Sequence, residues 1–200
     1  MYSKSQLKWE IMEARSTHMK KMALAAVFSA LGAVIAPFFW FPFLGTSAYP
    51  GQHMINALAG VLLGPLWAAV VAIFTGIIRN AFGIGTLYAF PGGIPGGVVV
   101  GIVYWLLRRF KKTGKIPLLS ALFEPVGTLF IGATVSICLV APWLGTQKLL
   151  SLLEGGPLTA LLLLWSGWAV SSVPGSVLGF AILLTLNRAG ITRETLFGER

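Results

Sequence analysis

Met22-Ala-Leu-Ala-Ala-Val-Phe-Ser-Ala-Leu-Gly-Ala-Val-Ile-Ala-Pro-Phe-Phe-Trp-Phe-Pro-Phe43 is a run of 22 residues without a single charge. A hydrocarbon core of about 30 Å takes about 20 helical residues to cross, so the run reads as a membrane span. It is too long for the core of a signal peptide and lacks a small-residue cleavage site, which makes it a permanent helix. Comparable runs follow at Gln52–Leu63, Leu66–Phe82, Gly92–Leu107, Leu118–Ala141 and Leu158–Asn187. The expected fold is therefore an all-α integral membrane bundle of six transmembrane helices. The second and third runs are short and meet at the turn dipeptide Gly64-Pro65, so they are expected to tilt or to sit partly below the headgroups.

Composition supports this reading. Of the 200 residues 56% are hydrophobic and 10% charged, and the mean hydropathy is +0.82. A soluble domain carries about a quarter charged residues to cover its surface. The net charge of +9 would suit nucleic acid in a soluble protein, but its distribution argues for topology instead. Three clusters flank the apolar runs: Lys4, Lys8, Arg15, Lys20 and Lys21; Arg108, Arg109, Lys111, Lys112 and Lys115; Arg188, Arg193 and Arg200. Under the positive-inside rule all three mark cytoplasmic segments. Six crossings put both termini on that side, so residues 1–21 form a cytoplasmic N-terminal segment, 22–187 the membrane domain and 188–200 a cytoplasmic tail.

The opposite face carries Leu44–Gly51, Gly83–Pro91 and Pro142–Pro157. These segments are rich in Gly, Pro, Thr, Tyr and Trp, a composition that suits ordered caps over a cavity. Leu149–Leu153 reads as a short interfacial helix. No internal repeat of the kind found in many secondary transporters is present.

Polar groups inside spans are expensive and are therefore candidates for function. The strongest set heads the second span: Tyr49, Gln52, His53 and Asn56. If a helix starts near Gly51, Gln52 and Asn56 stand at i, i+4 and His53 and Asn56 at i, i+3. Two readings remain open for this set, a hydrogen-bonding lip for a small heterocycle and an internal network tying loop to bundle. No metal site is expected, because His18 lies on the other side and Cys138 is alone. Cys138 reads as a small packed residue.

Arg79 and Asn80 close the third span, followed by Thr86 and Tyr88 before a turn at Phe90-Pro91-Gly92-Gly93. Arg79 either snorkels to headgroups or orients Asn80 or a loop carbonyl over the cavity. Glu124, about six residues into the fifth span, must be neutral, paired or hydrated. At that depth it reads as a structural partner or a coupling contact, far from the outer cap. In the last span Trp165 is placed to stack on an aromatic ring or to anchor at the interface, and Pro174-Gly175 predicts a kink. On the first span Ala26 and Ala30, beside Ala25, Ser29 and Ala33, form a small-residue stripe for packing within the chain or for docking.

Asp is absent and no phosphate-binding Gly-x-x-x-x-Gly-Lys motif occurs, so ATP hydrolysis is not expected of this chain. No nucleophile elbow, zinc-protease helix or acid/base pair at one depth points to an enzyme. A membrane enzyme or assembly factor is the alternative class.

The stretch Tyr49-Pro-Gly-Gln-His-Met-Ile-Asn-Ala-Leu-Ala-Gly-Val-Leu-Leu-Gly-Pro-Leu-Trp67, with Ile78-Arg-Asn-Ala-Phe-Gly-Ile-Gly-Thr-Leu-Tyr-Ala-Phe-Pro-Gly-Gly93, closely resembles the ThiW family. The resemblance is strong over Lys20–Leu107, and the last three spans agree in length and hydropathy. It implies a six-helix substrate-binding (S) component of an energy-coupling-factor transporter. The cargo would be a thiamine precursor, with hydroxyethylthiazole favoured over thiamine or its pyrimidine precursor. The implied partners are a transmembrane T component and two ATP-binding subunits that hydrolyse ATP, with no cofactor on this chain. It also implies that Ala26 and Ala30 dock on the T component. Residues 1–19 have no counterpart implied by the resemblance.

Overall fold

The structure, a computed structural model, describes residues 4–43, 46–110 and 114–198. Lys111, Lys112 and Arg200 lie outside the described residues, as do Leu44 and Gly45 of the first outer segment. The bundle is built from α1 (Lys4–Ile35), α2 (Pro50–Leu63), α3 (Pro65–Ala81), α4 (Ala89–Phe110), α5 (Pro117–Leu144) and α7 (Pro157–Arg188). Two short helices, α6 (Gln147–Leu150) and α8 (Arg193–Phe197), complete it. A two-stranded antiparallel ribbon, β1 (Phe41–Phe43) with β2 (Thr46–Ala48), joins α1 to α2 and pairs Phe41 with Ala48.

Among the described residues four helices are long and apolar enough to cross a membrane: the stretch Lys8–Ile35 within α1, and α4, α5 and α7. The other two are shorter. At 14 residues, α2 is about 21 Å long, too short to span alone. Thirteen of its residues are buried, and it packs against α1, α3, α4, α5 and α7. A helix apolar on all sides belongs at the centre of a bundle, and α2 is the axis around which the others stand. Gly64 turns α2 into α3 at φ 93°, a left-handed backbone that glycine adopts without strain. Pro65 then opens α3 at a position where its missing N–H is not needed.

The first span ends earlier than the run of apolar residues suggested. Helix α1 stops at Ile35, and Phe41–Phe43 is a strand. Pro37 and Pro42 interrupt the helical ladder that hydropathy cannot see. At its other end α1 runs without a break from Lys4, so the polar N-terminal segment is a continuation of the span. The expected turn at Phe90-Pro91-Gly92-Gly93 is instead the start of α4. Pro91 falls in the first turn, where it is tolerated, and Gly92 and Gly93 begin a buried glycine face that continues through Gly96, Gly97 and Gly101. In lipid, helices associate by close backbone approach across such faces. A Cβ on Gly97 would sit 3.1 Å from the Ala68 methyl, and one on Gly101 2.5 Å from the Pro65 nitrogen.

Helix α5 mixes 3-10, π and α turns, with π turns over Val126–Ala133 and Ser136–Val140. Ser120, Glu124, Thr128, Gly132 and Ser136 recur every four residues and are all buried. In a regular α-helix each step of four rotates about 40° past a full turn, so such a row spirals away. The wider π turns hold it on one face. Cys138 lies on the other side and is exposed, which corrects its reading as a packed residue. The short helix expected over Leu149–Leu153 corresponds to α6 running into a 3-10 turn at Ser151–Gly155.

The basic clusters meet at one end of the bundle. Arg108 pairs with Glu194 of α8 at 2.8 Å. Lys21 stands over the buried Phe197 ring at 5.3 Å, and Thr17 Oγ1 donates to the Phe197 carbonyl at 3.4 Å.

Candidate functional site

Helix α2 begins at Pro50, where the sequence places it, so Gln52, His53 and Asn56 occupy its first two turns. All three are buried. Because α2 is sheathed by other helices and too short to reach both surfaces, this polar end stops inside the bundle.

His53 Nδ1 lies 2.8 Å from Glu124 Oε1, and Asn56 Nδ2 donates to the same oxygen at 3.0 Å. Thr128 Oγ1 is 2.7 Å from Glu124 Oε1 and 2.9 Å from the Gly92 carbonyl, and its single proton serves one of them at a time. Ser172 donates to Glu124 Oε2. Glu124 is 0% exposed. A bare carboxylate buried at that depth costs several kcal/mol, and hydrogen bonds to a charged group return about 1.5–3 kcal/mol each. Asn56, Ser172 and His53 converging on one carboxyl group, with Thr128 when its proton turns from Gly92, are therefore what holds it there. The expectation that Glu124 lies far from the outer set, and that His53 and Glu124 stand at different depths, is corrected. That expectation rested on Glu124 standing about six residues into the fifth span from the cytoplasmic side, whereas the packing of α2 against α5 sets His53 and Asn56 directly on it.

The second half of the cluster is built on Arg79. The guanidinium does not snorkel: the side chain is 3% exposed and turned inward. It donates from Nη1 to Gln52 Oε1 and from Nη2 to the Ile84 carbonyl at 3.5 Å. It also stacks over the Tyr49 ring at 4.2 Å, an attraction of about 1–2 kcal/mol when desolvated. Gln52 Nε2 in turn donates to the Ala89 carbonyl at 3.2 Å, and the Tyr49 N–H donates to Ser171 Oγ at 2.7 Å. Arg79 Nε is buried without a partner, a state that costs about 1–3 kcal/mol.

Two buried polar groups thus adjoin, one from the Ile84 carbonyl through Arg79 to Gln52 and one from Asn56 through Glu124 to Ser172, set in a row because Gln52 and Asn56 stand one turn apart on α2. Helix α4 approaches it with backbone alone. A Cβ on Gly93 would fall 2.6 Å from Gln52 Nε2, and one on Gly96 2.6 Å from Thr128 Oγ1.

Tyr49, Gln52, His53, Asn56 and Arg79 are therefore brought together. Asn80, Thr86, Tyr88 and Trp165 are placed otherwise. Asn80 Nδ2 donates to the Gly76 carbonyl at 2.8 Å and the Thr86 carbonyl at 3.1 Å, closing the end of α3 and positioning the loop that supplies the Ile84 carbonyl. Tyr88 donates to Thr146 at 2.7 Å, tying that loop to the turn after α5. Trp165 stacks edge-on against Phe130, centroids 4.8 Å apart, and its Nε1 donates to Thr134 Oγ1 at 3.4 Å. It belongs to the apolar cluster of α5, α6 and α7. Thr128 was not singled out from sequence. The available signal was that a buried carboxyl group needs several donors, and Thr128 stands at i+4 from Glu124.

The small residues of α1 separate into two rows. Ala25, Ser29, Gly32 and Ala33 are buried, with Ser29 Oγ donating to the Ala25 carbonyl at 2.8 Å. Ala26 and Ala30 are exposed.

Several apolar helices of spanning length enclosing a buried polar row define a multi-pass membrane protein with a polar centre inside the bundle. A family model described as thiamine-precursor transporter protein (ThiW) matches residues 22–189. The chain belongs to the ThiW family of thiamine-precursor transporters, in the plasma membrane. The match extends past the stretch carrying the motif resemblance and takes in α5 and α7. Neither a curated protein nor a solved structure matches the chain.

Proposed function

We propose that this chain is the substrate-capture S component of an energy-coupling-factor importer and that its cargo is hydroxyethylthiazole. The observation that carries the reading is the buried row of Tyr49, Gln52, His53, Asn56, Arg79 and Glu124 inside a chain matched to thiamine-precursor transporters over residues 22–189. A thiazole with a hydroxyethyl arm is small, largely apolar and carries a few hydrogen-bonding atoms, which suits a site of amides, an imidazole and one charge of each sign. In this reading α1 to α5 and α7 are the six membrane helices, the short α2 standing within the shell of the others, with both termini cytoplasmic. The motor resides in a T component and two ATP-binding subunits, since no phosphate loop occurs in the sequence. The exposed Ala26 and Ala30 supply the docking face, where small side chains allow close helix approach. Asn80, Thr86 and Tyr88 serve as the outer cap, and Trp165 closes the side next to α5.

Calorimetric titration of the purified full chain with hydroxyethylthiazole, thiamine and the pyrimidine precursor tests the cargo. Saturable binding of the thiazole is expected; binding of thiamine or the pyrimidine in its place reassigns the cargo, and no response to any of them rejects the class. Affinity capture through this chain from native membranes is expected to bring down ATP-binding subunits, and capture of the chain alone overturns the assembly.

A further inference from the structure

Arg79 and Glu124 are the side chains of full charge buried among the described residues, and they are not paired with each other. They stand at opposite ends of the same row. Gln52 holds Arg79 and Asn56 holds Glu124, and Gln52 and Asn56 are one turn apart on α2, about 6 Å along the axis. The Arg79 end can only donate, and among the described residues no carboxylate lies within ion-pair distance of it. Its Nε is a buried donor without an acceptor. The Glu124 end, as a carboxylate, can only accept.

We propose that this row is a two-ended recognition site that orients its cargo, with an acceptor atom facing Arg79 and a hydroxyl donating to Glu124, and so selects the free alcohol over its phosphate ester. The proposal rests on the thiamine-precursor reading. A ring nitrogen supplies the acceptor without bringing a charge, and a hydroxyl on a short arm reaches the other end. Phosphorylating that hydroxyl removes its proton and sets a dianion against the buried carboxylate, where like charges cannot be screened. At Gly93 and Gly96 the α4 backbone lies directly against Gln52, Thr128 and Glu124, closing that side of the row, so a cargo meets the polar atoms of α2, α3 and α5.

The test titrates the full chain with hydroxyethylthiazole, with the analogue in which the hydroxyethyl arm is ethyl, and with hydroxyethylthiazole phosphate. The wild type is expected to bind the alcohol at least tenfold more tightly than the ethyl analogue and at least a hundredfold more tightly than the phosphate. In Glu124→Gln the preference over the ethyl analogue should fall below threefold. In Arg79→Gln both neutral ligands should weaken by a similar factor with the preference retained. Equal binding of alcohol and ethyl analogue by the wild type overturns the proposal without recourse to any variant, as does binding of the phosphate as tight as the alcohol. Loss of the hydroxyl preference in Arg79→Gln reverses the orientation and also overturns it. Failure of the wild type to bind any of the three while binding the pyrimidine precursor overturns the cargo reading itself, a separate result.

Discussion

Gly96→Ala adds one methyl group at the point where α4 meets the carboxyl cluster. The new Cβ would lie 2.6 Å from Thr128 Oγ1 and 2.9 Å from Glu124 Cδ, whereas ordinary contact begins at 3.4 Å. Thr128 must retreat by about 0.8 Å and the Glu124 carboxyl, whose Oε1 is the nearest atom, by about 1 Å, which takes hydrogen bonds of 2.7–3.0 Å out of good geometry. Losing two bonds to the carboxylate at about 1.5 kcal/mol each removes about 3 kcal/mol. Alanine returns about 1 kcal/mol through its better helix propensity, leaving a net loss of about 2 kcal/mol. For a chain of this length that lowers Tm by roughly 4–8 °C. Thermal unfolding of the purified protein in detergent measures it, with Gly167→Ala as the control. Nothing lies within 4 Å of a Cβ at Gly167, so that variant keeps the propensity gain without the clash and should hold or raise Tm. A Gly96→Ala protein as stable as Gly167→Ala would show that Glu124 does not rest against the α4 backbone, and the account of the cluster would fail with it.

Asn56→Ala removes a donor to Glu124 and should weaken hydroxyethylthiazole binding about tenfold, for about 1.5 kcal/mol, in a protein that stays monodisperse by size exclusion; unchanged affinity would remove Asn56 from the site. Arg79→Lys keeps the charge but loses the planar fork that spans Gln52, Ile84 and the Tyr49 ring, so calorimetry should show an affinity loss of about tenfold or more, and a wild-type value would refute the inward assignment. Ala30→Leu changes an exposed position of α1 and should leave ligand binding intact while blocking co-purification of the ATP-binding subunits; intact complexes would move the docking face elsewhere. Phe197→Ala empties a buried ring site at the end where α8 meets Lys21 and Thr17 and should cost about 3 kcal/mol of stability, read by thermal unfolding, with ligand affinity unchanged.

The positions of the long helices were legible from hydropathy, because a span must be apolar for about 20 residues whatever its neighbours are. The bounds of α3, α5 and α7 lie within a few residues of the apolar runs that announced them. Where the run and the helix parted, at Ile35 and at Ala89, the deciding factor was backbone chemistry at Pro37, Pro42 and Pro91, to which a hydropathy average is blind. The site was half legible. Gln52, His53 and Asn56 declared themselves by i, i+3 and i+4 spacing at a helix head, and Arg79 by its cost within a span. Glu124 declared itself by the same cost, but which groups would meet it did not, since Glu124, Thr128, Ser171 and Ser172 come from helices about 70 and 120 positions further along the chain.

The sequence by itself determined that this is a helical membrane protein with a polar motif at the head of its second helix, because local hydrophobicity and spacing decide both. The tertiary structure decided which of those polar groups meet. The short α2 stands at the centre of the bundle, so its head ends at the depth of Glu124, and the π turns that follow Glu124 on α5 keep Thr128 on the same buried face. The same packing turned Arg79 inward, set Trp165 against α5, and separated the buried Ala25 and Ala33 from the exposed Ala26 and Ala30. Depth and facing follow from how helices of unequal length pack together, and no single helix carries that information.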